Sequence, residues 1–112
     1  MSKVDVSTRK ATDAFLKGLD GRFPVRSAML FGSRARQDHA LSSDADVAIV
    51  LEGEQGAFAD TKLAMADIAF DVMLETGILI QPLPIWESEW QHPEHYPTPE
   101  LLANIRREGI RL

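Results

Sequence analysis

The sequence predicts an α/β (α+β) fold, a small mixed β-sheet with helices packed against it. Three observations carry this. Apolar periodicity switches along the chain in the order helix, strand, strand, helix, strand, helix. The second strand-like run, Ala45 to Leu51, is apolar on both faces and therefore belongs in the middle of a sheet. The third run, Ile78 to Ile85, carries Pro82 and Pro84, whose missing N–H groups would point to the same side and so place it at an edge.

The elements follow in order. Ser7 can cap a first helix over about Thr8 to Leu19, with Val4, Ala11, Ala14, Phe15 and Leu19 as its apolar face. Gly21 and Pro24 end it. Val25 to Phe31 alternates as a strand, and Gly32 to Asp44 reads as a long polar turn. After the central strand, Glu52 to Phe58 is an exposed loop with two glycines. Asp60 can cap a second long helix to about Thr76, with Gly77 as a left-handed stop. Leu63, Ala66, Phe70, Met73 and Leu74 are its expected buried stripe. Ser88 to Trp90 suggests a short helical turn and Gln91 to Pro97 a loop. Thr98-Pro99-Glu100 starts a last helix that ends at Gly109, with Arg106 and Arg107 suited to its negative end.

At 112 residues the chain is expected to form a single domain, residues 1–112, with one real core. The absence of cysteine excludes disulfides and thiolate zinc sites. The opening MSKVDVSTRK lacks the apolar core of a signal peptide, and no apolar run reaches the roughly 20 residues of a membrane helix. A cytoplasmic protein without a membrane role is the expectation. A formal net charge of -5 argues against direct grip on a nucleic-acid backbone, which needs excess Lys and Arg. It leaves room for a nucleotide met by a metal and a few donors, and for a basic protein partner.

Chemistry concentrates between the first two strands, where Gly32-Ser33 is followed after ten residues by Asp44, Ala45 and Asp46. Glycine permits a sharp turn and close approach of a phosphate to the backbone. Ser33 offers an N–H and a hydroxyl. Asp44 and Asp46, two apart on an extended segment, leave the same face and present hard oxygens to one Mg²⁺. Such an ion would bridge to the phosphates of a nucleoside triphosphate as the α-phosphorus is attacked and pyrophosphate leaves. The candidate catalytic and metal residues are thus Asp44 and Asp46, and the candidate nucleotide-binding residues are Gly32, Ser33 and Arg34.

The stretch LFGSRARQDHALSSDADVAIVL resembles the signature of the minimal nucleotidyltransferases (MNT) of the DNA polymerase β-like superfamily. ADIAFDVMLETGILIQPLPIWESEW and ELLANIRREGIRL look like the remainder of such a protein, so the likeness runs from about Ala28 to the C-terminus. The resemblance implies a short mixed sheet with flanking helices, and ATP with Mg²⁺. It also implies a HEPN-domain partner, for which the nucleotidyltransferase serves as antitoxin in a toxin–antitoxin pair. In some such pairs AMP is transferred to a tyrosine of the partner. Carried over, Ser33 matches the phosphate-contacting serine, and Asp44 and Asp46 the metal-binding aspartates. Two departures stand out. Gln37 replaces a glycine common after the second arginine, which bears on the shape of the turn. Active relatives usually carry a third carboxylate on the next strand, where Gln81 is here the one polar side chain; it is neither a base nor a strong ligand. Glu87 lies beyond that strand and is a weak substitute.

Each candidate has a plainer alternative. Gly32-Ser33 or Asp44 alone would be ordinary turn residues. Arg34 and Arg36 could touch phosphates or a partner, or be solvated surface. Asp67, Asp71 and Glu75 share a helix face and read first as a solvated acidic stripe, with one of them serving as the missing carboxylate the alternative. His92 and His95 lack further zinc ligands, and His39 reads as an exposed loop histidine that could meet a phosphate or take the nucleophile's proton. Trp86 and Trp90 read first as core or half-buried packing, with part of a partner surface the alternative, and Met65 and Met73 read as core residues. The leading expectation is a nucleotidyltransferase that binds Mg-ATP and adenylylates a hydroxyl on a HEPN partner. Against it stand a binding-only antitoxin that masks its partner and, lowest, a transferase for a small hydroxylated molecule. The sequence leaves homo- or hetero-oligomerisation open.

Overall fold

A computed structural model describes residues 4–112. Met1 to Lys3, part of the stretch read for a leader, lie outside the described residues. The elements are α1 (Val6–Leu19), β1 (Val25–Phe31), α2 (Ser33–Arg36), β2 (Ala45–Leu51), α3 (Phe58–Thr76), β3 (Ile80–Trp86), α4 (Glu87–Gln91), a 3₁₀ turn (Pro93–His95), α5 (Pro99–Glu108) and β4 (Ile110–Arg111).

The sheet order is β3-β2-β1-β4. β2 is central, antiparallel to β1 and parallel to β3, and α3 makes the crossover that a parallel pair requires. The register sets Val47 opposite Pro82 and Ile49 opposite Pro84. Both prolines turn their N–H-less sides to the open edge, as expected. The opposite edge is covered by β4, a two-residue strand that pairs Met29 with Arg111 and Leu30 with Ile110. Nothing in the sequence pattern announced it.

Alternation on the strands divides the core in two. Ala28, Leu30, Val47, Ile49 and Leu51 face α1 and α3, where Ala11, Phe15, Leu19, Met65, Ile68 and Val72 meet them. Ala48 and Ile85 face the other way, onto Leu102 and Ile105 of α5, with Met29, Phe31, Leu83 and Trp90 around them. Trp86 is buried in the first layer, so both tryptophans pack as expected. No helix among the described residues is long and apolar enough to cross a membrane.

Three expectations are corrected. The cap of α1 is Asp5, whose carboxylate accepts the Thr8 N–H at 2.7 Å; the helix starts at Val6, two residues earlier than a Ser7 cap would allow. Gly32 to Asp44 is not all turn, because α2 occupies its first residues and buries Arg34 and Ala35. On α3, capped at Ala57 with Asp60 inside the first turn, the buried stripe is Met65, Ile68, Ala69 and Val72. The expected stripe faces outward: Leu63, Phe70 and Leu74 are 67 %, 53 % and 69 % exposed. Met73 is half-buried and Ala66 exposed. α3 is apolar on two faces, and the sheet takes the one that carries the β-branched residues. Gly77, by contrast, closes α3 in the left-handed conformation as read, at φ 81°.

Candidate functional site

β1 delivers the chain to Gly32 at the rim of the sheet, and β2 leaves the same rim with Asp46 paired against Phe31. Gly32 has φ 75° and ψ -155°, a region essentially closed to side-chain-bearing residues. A Cβ there would lie 2.4 Å from Asp46 Oδ2. Gly32 is thus required twice, by the backbone and by the carboxylate pressed against it. We expect Gly32→Ala to cost about 1–3 kcal/mol of stability and to push the Asp46 carboxylate from its place. Thermal melts and a nucleotide titration of the same sample would register both losses.

Asp44 and Asp46 leave the sheet on one face, the face that also carries Ala48. The Asp46 carboxyl is raised above its ordinary value of 3.8 by burial and then by the charge of Asp44, with Arg36 partly opposing them. Two acids are therefore held close with little compensation from the chain. Carboxylate oxygens without a full protein counter-charge suit a divalent cation such as Mg²⁺, which takes oxygen ligands and keeps waters and phosphates for the rest of its shell. Asp44 and Asp46 could hold one.

Beside them on β3, Gln81 is in register with Asp46, and its Nε2 donates to Asp44 Oδ2 at 3.0 Å. The place from which a third carboxylate would face the pair is filled by this amide. Among the described residues no group of three or more His, Cys, Asp or Glu could hold a metal ion. Glu87 does not substitute: it sits at the far end of β3, bound to Arg26 Nε at 2.9 Å and to the Gly53 N–H at 3.1 Å. Asp67, Asp71 and Glu75 lie on α3, which packs against the opposite face of the sheet. His92 stacks on His95 and contacts Glu94 at 3.3 Å, and they belong to no metal-sized set among the described residues.

The two arginines of α2, read alike from the sequence, take different places. Arg34 is turned inward and only 3 % exposed. Its Nε and Nη2 donate to the Ser43 carbonyl at 3.0 and 2.8 Å, Nη2 also to Leu41 at 3.2 Å, and Nη1 to Thr8 Oγ1 at 2.8 Å. Its side chain thus binds the loop that ends at Asp44 to helix α1, and its donors are engaged by the chain's own oxygens. Arg36 is the cation whose field reaches Asp46, while it pairs with Asp38 at 3.2 Å and Glu108 at 3.4 Å. The helical turn explains the difference, because side chains two apart on a helix point to different sides.

His39 is not an exposed loop residue. Its Nε2 meets Asp5 Oδ2 at 2.8 Å, and its Nδ1 is buried without a hydrogen-bond partner among the described residues. It lines a cleft of about 320 Å³ with Asp5, Arg34 and Gly77, on the α1 and α3 side of the sheet. Gln37, which stands where relatives often have glycine, is in the left-handed region at φ 62°. The turn keeps the backbone a glycine would favour and carries a side chain there regardless.

A family model for polymerase beta nucleotidyltransferases matches residues 16–82, more than half of the chain. The matched region contains Gly32, Ser33, Asp44, Asp46 and Gln81. The crystal structure of a candidate nucleotidyltransferase from Sulfolobus solfataricus superimposes with a TM-score of 0.51. It is 21 % identical, over 81 % of this chain and 83 % of its own, and the likeness shows a shared fold. No curated protein matches the chain. With the strand–turn–strand rim, its glycine and its aspartate pair inside the matched segment, this chain belongs to the polymerase β-like nucleotidyltransferase family.

Proposed function

We propose that the protein binds Mg-ATP at the rim of β1 and β2 and transfers AMP to a hydroxyl of a HEPN-domain protein, as the antitoxin of a toxin–antitoxin pair. The observation that carries the reading is the close packing of Asp46 against Gly32 beside Asp44, an arrangement that costs stability unless a cation joins it. Bound there, Mg²⁺ would offset the charge that develops on the phosphates. Asp44 and Asp46 hold the ion; Gly32 and Ser33 seat the β and γ phosphates; Arg34 fixes the loop that presents Asp44. The acceptor hydroxyl oxygen bonds to the α-phosphorus, the bond to the β-phosphate oxygen breaks, and pyrophosphate departs. The hydroxyl proton passes to Asp46 or to a group of the partner, since His39 is engaged with Asp5.

A second reading is favoured by Gln81. An amide bound to Asp44, where active relatives carry a carboxylate, suits a protein that binds its partner and no longer turns over. One experiment separates the two. The purified HEPN partner is incubated with this protein, Mg²⁺ and ATP labelled at the α-phosphate. Label on the partner, lost with Asp44→Asn, is the expected result. Full neutralisation of the partner by Asp44→Asn without any labelling would replace the transferase reading with the masking one. Calorimetry without Mg²⁺-dependent ATP uptake would remove the nucleotide site altogether.

A further inference from the structure

We propose that the outer face of α3 docks an amphipathic helix of a partner protein, one whose apolar stripe is flanked by lysine or arginine. Leu63, Phe70 and Leu74 form an apolar ridge along one exposed face of a helix whose other face is already committed to the core. Single exposed leucines are ordinary; a ridge of two leucines and an aromatic at helical spacing is a recognition surface. Along one side of the ridge run Asp60, Asp67, Asp71 and Glu75, spaced seven, four and four residues apart. Among the described residues none of these four acids is hydrogen-bonded or ion-paired, although basic residues are present on neighbouring α1. The other flank carries Lys62, which lies over the Phe58 ring at 5.9 Å.

The charge pattern selects the occupant. In an antiparallel pair of identical helices the same flank meets itself, so a second copy would set these acids against their own equivalents. An anionic lipid surface is repelled for the same reason. A basic-flanked helix meets the acids favourably while covering Leu63, Phe70 and Leu74. This surface goes beyond the transfer reaction, and its test contains no nucleotide, so its failure and that of the nucleotide site are distinguishable.

The test uses the full chain and two fluorescein-labelled synthetic helices of α3's length, with the same leucine stripe, one flanked by lysine and its twin by glutamate. Anisotropy should show the lysine peptide binding at least tenfold more tightly than the twin. Phe70→Ser with Leu74→Ser should weaken that binding at least tenfold. Asp71→Asn with Glu75→Gln should weaken it several-fold and flatten its salt dependence. All these side chains are exposed, so the melting temperature should hold; Leu63→Ser serves as an independent variant if the double substitution unfolds. Equal binding of the twins, no binding of either, or binding that survives the ridge variants overturns the proposal. So does a dimer in sedimentation that Phe70→Ser dissolves, or partition onto phosphatidylserine vesicles.

Discussion

Arg34→Met should lower the melting temperature by more than about 10 °C, a larger change than any exposed substitution in this chain would produce. Methionine retains length and bulk, so the loss isolates the guanidinium. That group now satisfies Ser43, Leu41 and Thr8 through four hydrogen bonds from one buried fork. Without it, the fully buried Thr8 Oγ1 remains unpaired at about 1–3 kcal/mol and the part-buried Ser43 and Leu41 carbonyls lose a charged donor worth about 1.5–3 kcal/mol per bond before water replaces it, partly offset because a cation need no longer be desolvated. A net loss of about 3–5 kcal/mol is a large share of the roughly 5–15 kcal/mol that holds a domain of this kind together. Arg34→Lys should recover little, since one ammonium cannot span oxygens on α1 and on the loop. Circular-dichroism melts read the effect directly. An unchanged melting temperature with weakened ATP binding would instead return Arg34 to the phosphate-contacting role that its place beside Ser33 suggests.

That place is where sequence reasoning reached its limit. The strands were legible because successive side chains take opposite faces, and both faces of this sheet are covered, one by α1 and α3 and the other by α5. Asp44 and Asp46 were legible for the same reason: two apart on an extended segment, they have to share a face. Gly32 was legible as a hinge, and the structure adds why only glycine serves, since Asp46 fills the space of its Cβ. α3 was misread because its sequence offers two apolar faces, and periodicity cannot say which one the sheet takes. Leu63, Phe70 and Leu74 are the larger side chains, yet Met65, Ile68, Ala69 and Val72 are the ones that fit against the sheet and against Gly18 of α1, where a Cβ would come within 2.6 Å of Ile68. Arg34 was misread because α2 lay hidden in a polar turn. Four helical residues are too few for a period to show, but they suffice to turn Arg34 inward and leave Arg36 outside. The same holds for β4, whose two residues carry no pattern, and for His39, whose partner Asp5 is far away in sequence.

Asp46→Asn should remove nucleotide transfer while making the cation-free protein more stable at neutral pH. Burial first, and the neighbouring Asp44 charge second, raise the carboxyl above 3.8, so folding favours its protonated form over its ionised one more than the unfolded chain does. The sign follows from linkage. A group whose folded pKa is raised contributes stability that is complete below its unfolded value and is lost as pH rises through the folded one. Above that raised value wild-type Asp46 is ionised and the contribution is lost. Asparagine, neutral throughout, escapes the penalty. The melting temperature of Asp46→Asn should therefore exceed that of wild type on the alkaline side of the raised value, and the gap should close as pH falls below the ordinary aspartate range, where the wild-type carboxyl is protonated in the folded and the unfolded state alike. Mg-ATP should reverse the order, stabilising wild type through binding and leaving the variant unmoved. Any transferase activity should fall about a hundredfold or more, the scale on which loss of a single charge-stabilising group acts. A variant less stable than wild type at neutral pH would mean that the carboxylate is paired within the fold and serves it. Gain of stability together with loss of nucleotide response would mean that the chain keeps Asp46 beside Asp44 for what binds between them.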